Sequence, residues 1–159
     1  MSIDLSLRLA TRDDASIIAR LSRDRIVQGL GWSWTTPRVL RCVRDRETNV
    51  VVAASAGLLI GFGIMKYHDE EAHLLLLAVR PEHARQGVGT ALVDWLERAA
   101  LVAGIGRVML EARATNADAR SFYRQLGYRE IQSLPGYYQG QEACVRLAKD
   151  LWVSPAVPG

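Results

Sequence analysis

The pattern of apolar and polar positions divides the chain into short elements of two kinds. Alternation with a period of two, as in "LSLRLA" at 5–10, predicts β-strands, whereas an apolar residue every three or four positions predicts amphipathic helices. The uniformly apolar run "AHLLLLAV" at 72–79 is typical of a central strand that is covered on both faces. The pattern predicts strands at 5–10, 49–55, 58–68, 72–79, 107–114, 128–133 and 142–151. It predicts helices at 11–29, 37–47, 88–103 and 116–126.

The order of these elements is βααβββαβαββ, so strands cluster early and then alternate with helices. This order indicates the mixed α/β (α+β) class, in which a mixed sheet carries helices on both faces. A chain of 159 residues suits one hydrophobic core. We therefore predict a single domain over 1–152, followed by a disordered tail at 153–159.

Composition and charge limit the kinds of ligand and the location that can be expected for this chain. The net charge of +3 and the isoelectric point near 9.1 fit an anionic ligand, but they are too weak to indicate nucleic acid. Cys42 and Cys144 lack metal-ligand spacing, so we predict no metal and expect both to be buried small hydrophobes. The chain lacks an apolar run of about 18 residues and the apolar core of a signal peptide, which predicts a cytoplasmic protein without membrane contact.

The stretch "RPEHARQGVGTALVDW" at 80–95 places Gly87 and Gly89 where a helix is predicted to begin, at Val88. Glycines let the backbone approach an anion closely, and the free N–H groups at a helix start favour a phosphate or pyrophosphate. The stretch lacks the Gly-Lys-Ser/Thr of a Walker A loop and the third small residue of a dinucleotide fingerprint. Taken alone, it is equally consistent with a tight strand-to-helix turn.

A carboxylate stands in the middle of a predicted strand. Met109, Glu111 and Arg113 share one face of the strand 107–113, because side chains alternate between the two faces. A carboxylate is costly to bury without a partner. Glu111 therefore either pairs with Arg113 or another basic residue, or acts as a general base.

Two further side chains have alternative interpretations. Tyr123 lies on the apolar stripe of the helix that follows, where a core aromatic is the common explanation, although a buried hydroxyl would still need a partner. His73 is the only residue of the strand 72–79 that could replace a carboxylate base, but a strand-end histidine is expected to face solvent.

Several motifs in order resemble a known superfamily. "RQGVG" after "LAVRPEH" resembles the pyrophosphate loop of the GNAT superfamily of N-acetyltransferases, although Ala84 stands where the family has Arg or Gln. "LEARATNADARSFYRQLGY" resembles the branch that acetylates protein N-termini, including the ribosomal-protein alanine N-acetyltransferases, and "PGYYQGQEACVRL" is similar to the end of that branch. The resemblance covers about residues 72 to 149.

The resemblance implies a GNAT fold, with a mostly antiparallel mixed sheet of about seven strands, and acetyl-CoA as co-substrate without a metal. It implies that Glu111 is the general base, Tyr123 the general acid and Asn116 a contact to the pantetheine arm. It also implies backbone contacts to coenzyme A from two segments. Their residues are Leu77, Ala78 and Val79 in the strand, and Arg85, Gln86, Gly87, Val88, Gly89 and Thr90 in the turn.

The acceptor is expected to be a primary amine, most simply the α-amino group of a protein or peptide, bound by a monomer or a homodimer. In this fold the loops that carry Trp32, Trp34, Tyr137 and Tyr138 flank the acceptor groove, and Tyr138 is the predicted contact. The tryptophans are equally consistent with a place at the edge of the core. Two other functions stay open: transfer to a small-molecule amine, and a module that binds acyl-CoA without turnover.

Overall fold

The computed structural model describes residues 4–25, 34–136 and 143–152. The strands are β1 (Ser6–Leu9), β2 (Thr48–Ser55), β3 (Leu58–Tyr67), β4 (Ala72–Val79), β5 (Arg107–Arg113), β6 (Arg129–Leu134) and β7 (Cys144–Asp150). The α-helices are α1 (Ala15–Arg25), α2 (Thr36–Arg44), α3 (Val88–Val102) and α4 (Ala117–Gln125). The predicted order βααβββαβαββ is confirmed. Short 3₁₀ turns precede α1 and follow β4.

The seven strands form a mixed sheet in the order β1-β2-β3-β4-β5-β7-β6. The pairs β1–β2, β2–β3, β5–β7 and β6–β7 are antiparallel. β4 and β5 are parallel, with Ala72 opposite Val108 and His73 opposite Met109. The predicted fold class, a mostly antiparallel mixed sheet with helices, is therefore confirmed.

The chain divides into two compact units, and the first contains residues 1–66 and 75–96. Its core packs α1 and α2 against β2 and β3 through fully buried side chains such as Ile18, Val39 and Phe62. Trp34 belongs to this core, since only 8% of it is exposed, and the guanidinium carbon of Arg38 lies 3.9 Å from the centre of its ring. Of the two interpretations of this tryptophan, the core position is correct.

The second unit contains residues 67–74 and 97–159. Along β5 the burial alternates, so that Val108, Leu110 and Ala112 are buried while the face that carries Glu111 is half-buried. The two faces of this strand are those predicted from the sequence. Tyr128 is also buried in this unit, and its hydroxyl donates to Glu97 at 2.9 Å.

Three other expectations have different outcomes. Cys42 and Cys144 form no disulfide among the described residues, and both are half-buried rather than buried, because Cys42 packs against the outside of the first core and Cys144 is the first residue of β7. No helix among the described residues is long and apolar enough to cross a membrane. The predicted domain limits stay a prediction, and the tail at 153–159 lies outside the described residues.

Candidate active site

The glycine turn joins the 3₁₀ turn Pro81–His83 to helix α3. Two of its residues have positive φ angles, 63° at Arg85 and 82° at Gly87, and the helix begins at Val88 as predicted. The carbonyl of Gly87 accepts the N–H of Ala91 at 3.0 Å, so Gly87 closes the first helical turn. The N–H groups before Ala91 have no intrahelical acceptor, as at the start of every α-helix. The left-handed glycine is thus Gly87, and Gly89 lies within the helix.

Packing holds this helix start against the sheet of the first unit. Val88 is 1% exposed. A Cβ atom at Gly61 would lie 3.2 Å from Cγ1 of Val88 and 3.3 Å from Cδ1 of Leu92, so the helix packs directly on the strand backbone there. Before the turn, Arg80 donates from its backbone N–H to the carbonyl of Ile60 at 2.8 Å. The turn is therefore anchored at both ends, while Arg85, Gln86 and Gly87 are exposed.

These features fit a bound pyrophosphate. The turn is exposed and has a left-handed glycine, which lets an anion approach the backbone closely, the helix start adds its positive dipole, and Arg85 adds a charge. Ala84 is exposed and offers only a methyl group, so no side-chain contact from this position replaces the Arg or Gln of the motif.

The carboxylate of Glu111 lies in a row of polar side chains on the second unit. His73 on β4 places Nε2 2.7 Å from Glu111 Oε1, and Arg146 on β7 donates from Nε to Glu111 Oε2 at 3.1 Å. Arg146 stands directly opposite Glu111 in the ladder and also donates to Gln132 Oε1 on β6 at 3.1 Å. We call His73, Glu111, Arg146 and Gln132 the polar row.

The row determines the electrostatics of Glu111. The hydrogen bond from His73 is the largest cause that holds the pKa of the Glu111 carboxyl below its ordinary value, and Arg146 acts in the same direction. Partial burial opposes them, since it disfavours the charged form. Glu111 is therefore an ionised carboxylate at neutral pH, with one donor on each oxygen.

The polar row decides two expectations, one for His73 on β4 and one for Glu111 on β5. His73 does not simply face solvent, because its ring is held by Glu111 and its side chain is 26% exposed. The predicted pairing of Glu111 with Arg113 or another basic residue is confirmed, and the basic residue is Arg146. Arg146 was missed because strand register brings it opposite Glu111 from 35 residues away. The only available signal was that Arg146 is a charged residue within the largely apolar strand β7.

The ring of Tyr123 on α4 packs among other aromatic rings, as its place on the apolar stripe predicts. It is 9% exposed and makes edge-to-face contacts with Phe122 and Tyr128, with ring centres 5.0 and 5.7 Å apart. Burial raises the pKa of its phenol. Within the described parts of the chain, no hydrogen bond satisfies its hydroxyl, which leaves a donor for a bound molecule.

Asn116 has a structural role in the absence of any ligand. It is the N-cap of α4, and its Oδ1 accepts the backbone N–H of Ala119 at 3.0 Å. A contact to a pantetheine arm would fall to its amide nitrogen. Tyr138, Tyr137 and Trp32 lie outside the described residues, so the predicted acceptor contact at Tyr138 stays a prediction.

Comparison with known proteins identifies the family. Residues 18–128 match the Acetyltransferase (GNAT) family. The chain belongs to this family. Acetyltransferases of the family use acetyl-CoA as the acetyl donor, and an aminoglycoside 6′-N-acetyltransferase solved with coenzyme A shares the fold. That structure has a TM-score of 0.77 and 18% identity, and the alignment covers 94% of this chain and 99% of the other.

Two relatives are similar in sequence. The [ribosomal protein bS18]-alanine N-acetyltransferase of Escherichia coli (strain K12) is 35% identical over 95 residues, which cover 58% of this chain and 64% of that enzyme. An N-alpha-acetyltransferase of Sulfolobus acidocaldarius is 27% identical over 158 residues, which cover 94% of each chain. The chain thus spans a little under two thirds of the Escherichia coli enzyme.

A solved structure extends the likeness over almost the whole fold. Ard1 from Thermoplasma volcanium has a TM-score of 0.85 at 24% identity, and the alignment covers 95% of this chain and 100% of that one. At this level of identity the likeness establishes the fold.

Proposed function

We propose that the chain is an acetyl-CoA-dependent N-acetyltransferase that acts on the α-amino group of a protein or peptide N-terminus. The observation that carries this proposal is the anchored, exposed turn at Arg85–Gly87 followed by a 15-residue helix, in a chain of the GNAT family. The choice of acceptor is supported by relatives named as alanine and N-alpha acetyltransferases. The cytoplasmic location is proposed from the sequence alone.

On the donor side, acetyl-CoA supplies an acetyl thioester. We propose that backbone N–H groups from Arg85 to Thr90 hold its pyrophosphate and that Arg85 adds charge. The strand end Leu77–Val79 offers main-chain groups to the pantetheine arm, in the manner of strand addition. The amide nitrogen of Asn116 remains available for the same arm because only its oxygen serves as the helix cap.

On the acceptor side, the amine must lose a proton before it can attack. An α-amino group ordinarily titrates at about 8 and a lysine at about 10.4, so an N-terminus needs much less help at neutral pH. We propose that Glu111 is the carboxylate that drives removal of this proton. Its position supports the role, because it is ionised, only 27% exposed and on the half-buried face of β5.

Tyr123 is the proposed donor to the leaving sulfur. Its hydroxyl is buried and has no partner among the described residues, so it is free to donate. Because burial raises the pKa of this phenol, it keeps its proton at neutral pH and acts through a hydrogen bond. Tyr138 is retained as a proposed lip residue of the acceptor groove.

A panel of amines tests the proposal. Release of free coenzyme A from acetyl-CoA is measured with four acceptors. Two are peptides: one begins with alanine, and the other has the same sequence but a blocked N-terminus and one lysine. The other two are the small amines spermidine and an aminoglycoside. We expect release with the free N-terminus only. Release with the small amines alone would establish the small-molecule alternative, and binding of coenzyme A without any release would establish a binding module.

A matched pair of variants shows that the activity belongs to this site. Glu111→Gln should lower turnover by about 10²-fold, the range for loss of general acid–base catalysis. Glu130→Gln is the control, because Glu130 likewise accepts charged hydrogen bonds, from Arg120 at 2.7 and 2.8 Å, and is 24% exposed. The Glu130 variant should keep the wild-type rate. Equal rates for all three proteins would remove Glu111 from the reaction.

A further inference from the structure

The hydrogen bond between His73 and Glu111 fixes which ring nitrogen carries a proton. An ionised carboxylate only accepts hydrogen bonds, so a histidine nitrogen 2.7 Å from Glu111 Oε1 must donate. The neutral ring of His73 therefore carries its proton on Nε2. Its other nitrogen, Nδ1, is then a bare acceptor.

The surroundings leave that acceptor available. No residue within the described ranges makes a hydrogen bond to Nδ1, and the His73 side chain is 26% exposed. The charged groups that face the ring are Glu111 on β5 and, beyond it, Arg146 on β7. The carboxylate would stabilise an imidazolium, and Arg146 keeps the carboxylate in place.

We propose that His73 is the first acceptor of the amine's proton and that Glu111 acts through it. The inference rests on the proposed function and deepens it. In this step the N–H bond of the acceptor ammonium breaks, its electron pair stays on the amine nitrogen, and the proton bonds to Nδ1. The imidazolium, paired with Glu111, then gives its proton to water and returns to the starting state.

The chemistry favours this order over direct transfer to Glu111. Both carboxylate oxygens already accept a hydrogen bond, and the pKa of Glu111 lies below its ordinary value. The bare Nδ1 of a neutral His73 ring has a free lone pair, so it can take a proton without displacing a hydrogen bond.

The first test reads the ring itself and needs no activity. The ¹⁵N chemical shifts of the histidine ring nitrogens are recorded in the free chain at a pH where the rings are neutral, and His73 is assigned by loss of its signals in His73→Gln. We expect the tautomer with the proton on Nε2. Glu111→Ala should reduce the share of this tautomer to that of an unpaired histidine ring, such as the exposed ring of His68. A proton on Nδ1 in the wild-type chain would overturn the inference.

The second test separates His73 from Glu111 by kinetics. His73→Asn should lower kcat by about 10²-fold while KM for acetyl-CoA stays at the wild-type value. The double variant with Glu111→Gln should be no slower than His73→Asn alone, because the two act as one unit. His68→Asn is the control, since His68 is exposed, and it should react at the wild-type rate. Added imidazole should restore part of the rate of His73→Ala, which a structural role would not allow.

The outcomes distinguish the two proposals. A wild-type chain that acetylates no amine in the panel would overturn the proposed function. An active chain in which His73→Asn keeps full turnover would leave that function in place and overturn only the role of His73. Multiplicative losses in the double variant would likewise overturn the claim that Glu111 acts through His73.

Discussion

The glycine turn and the polar row hold their functional groups in opposite ways. The turn, Arg85–Gly87 with the start of α3, is one continuous segment and presents backbone groups. The polar row consists of side chains from four strands, and its members come from positions 73 to 146 of the chain. The first depends on local conformation, whereas the second depends on strand register.

The difference predicts how each region fails. A change in the turn alters φ and ψ locally and removes no ion pair of the polar row. A change in the row leaves a charge without its partner on another strand, which costs more than the hydrogen bond itself. Variants in each region separate these two kinds of damage.

A charge exchange across the row should have the largest effect. Arg146→Glu places two carboxylates directly opposite each other, so we expect a loss of about 2 kcal/mol in unfolding free energy and about 10²-fold in turnover. Adding Glu111→Arg restores an opposite-charge pair across the same ladder. Stability should then recover, but turnover should not, because the carboxylate no longer lies beside His73.

Chemical denaturation and steady-state rates measure the two quantities on the same samples. Coenzyme A affinity serves as the internal control, and it should remain within about twofold in all three proteins if the turn acts independently. Recovery of turnover together with stability would mean that the row is only a structural ion pair.

A strained residue in the turn should have the next largest effect. Gly87 has a φ of 82°, so Gly87→Val should cost about 1–2 kcal/mol locally and weaken coenzyme A binding by about tenfold. Gly57 is a close match, with a φ of 79° and, as at Gly87, no atom within 4 Å of an added Cβ. Gly57→Val should lose similar stability yet bind coenzyme A normally, as calorimetric titration would measure. Equal loss of affinity in both variants would contradict a specific role for the turn.

The same contrast explains what the sequence reveals. The turn was predictable because glycine spacing, a helix start and the strand before it are all local signals, and even Val88 as the first helical residue was correct. Glu111 stood out because a carboxylate interrupts an apolar strand. The pairing of Glu111 with His73 and Arg146 was not predictable, since the register between β4, β5 and β7 is set by tertiary pairing. Periodicity alone also missed the left-handed φ of Arg85 and the capping bond of Asn116.

The smallest effect is expected for Tyr123, which lies on helix α4 and outside the polar row. Tyr123→Phe removes a buried hydroxyl that has no partner among the described residues, so stability should not fall. Turnover should drop severalfold if that hydroxyl donates to the leaving sulfur. The measurement is kcat at saturating acetyl-CoA beside the thermal midpoint of unfolding.

Tyr128→Phe is the matched control on the neighbouring ring, 5.7 Å away. Its hydroxyl donates to Glu97 at 2.9 Å, and Glu97 also accepts from Lys149 at 2.9 Å, so its loss should cost about 1 kcal/mol and leave turnover unchanged. The two variants should therefore have opposite effects. Tyr123→Phe should lower turnover without a loss of stability, and Tyr128→Phe should lower stability without a loss of turnover. If Tyr123→Phe reacts at the wild-type rate, Tyr123 is a core residue and the polar row alone carries the proton chemistry.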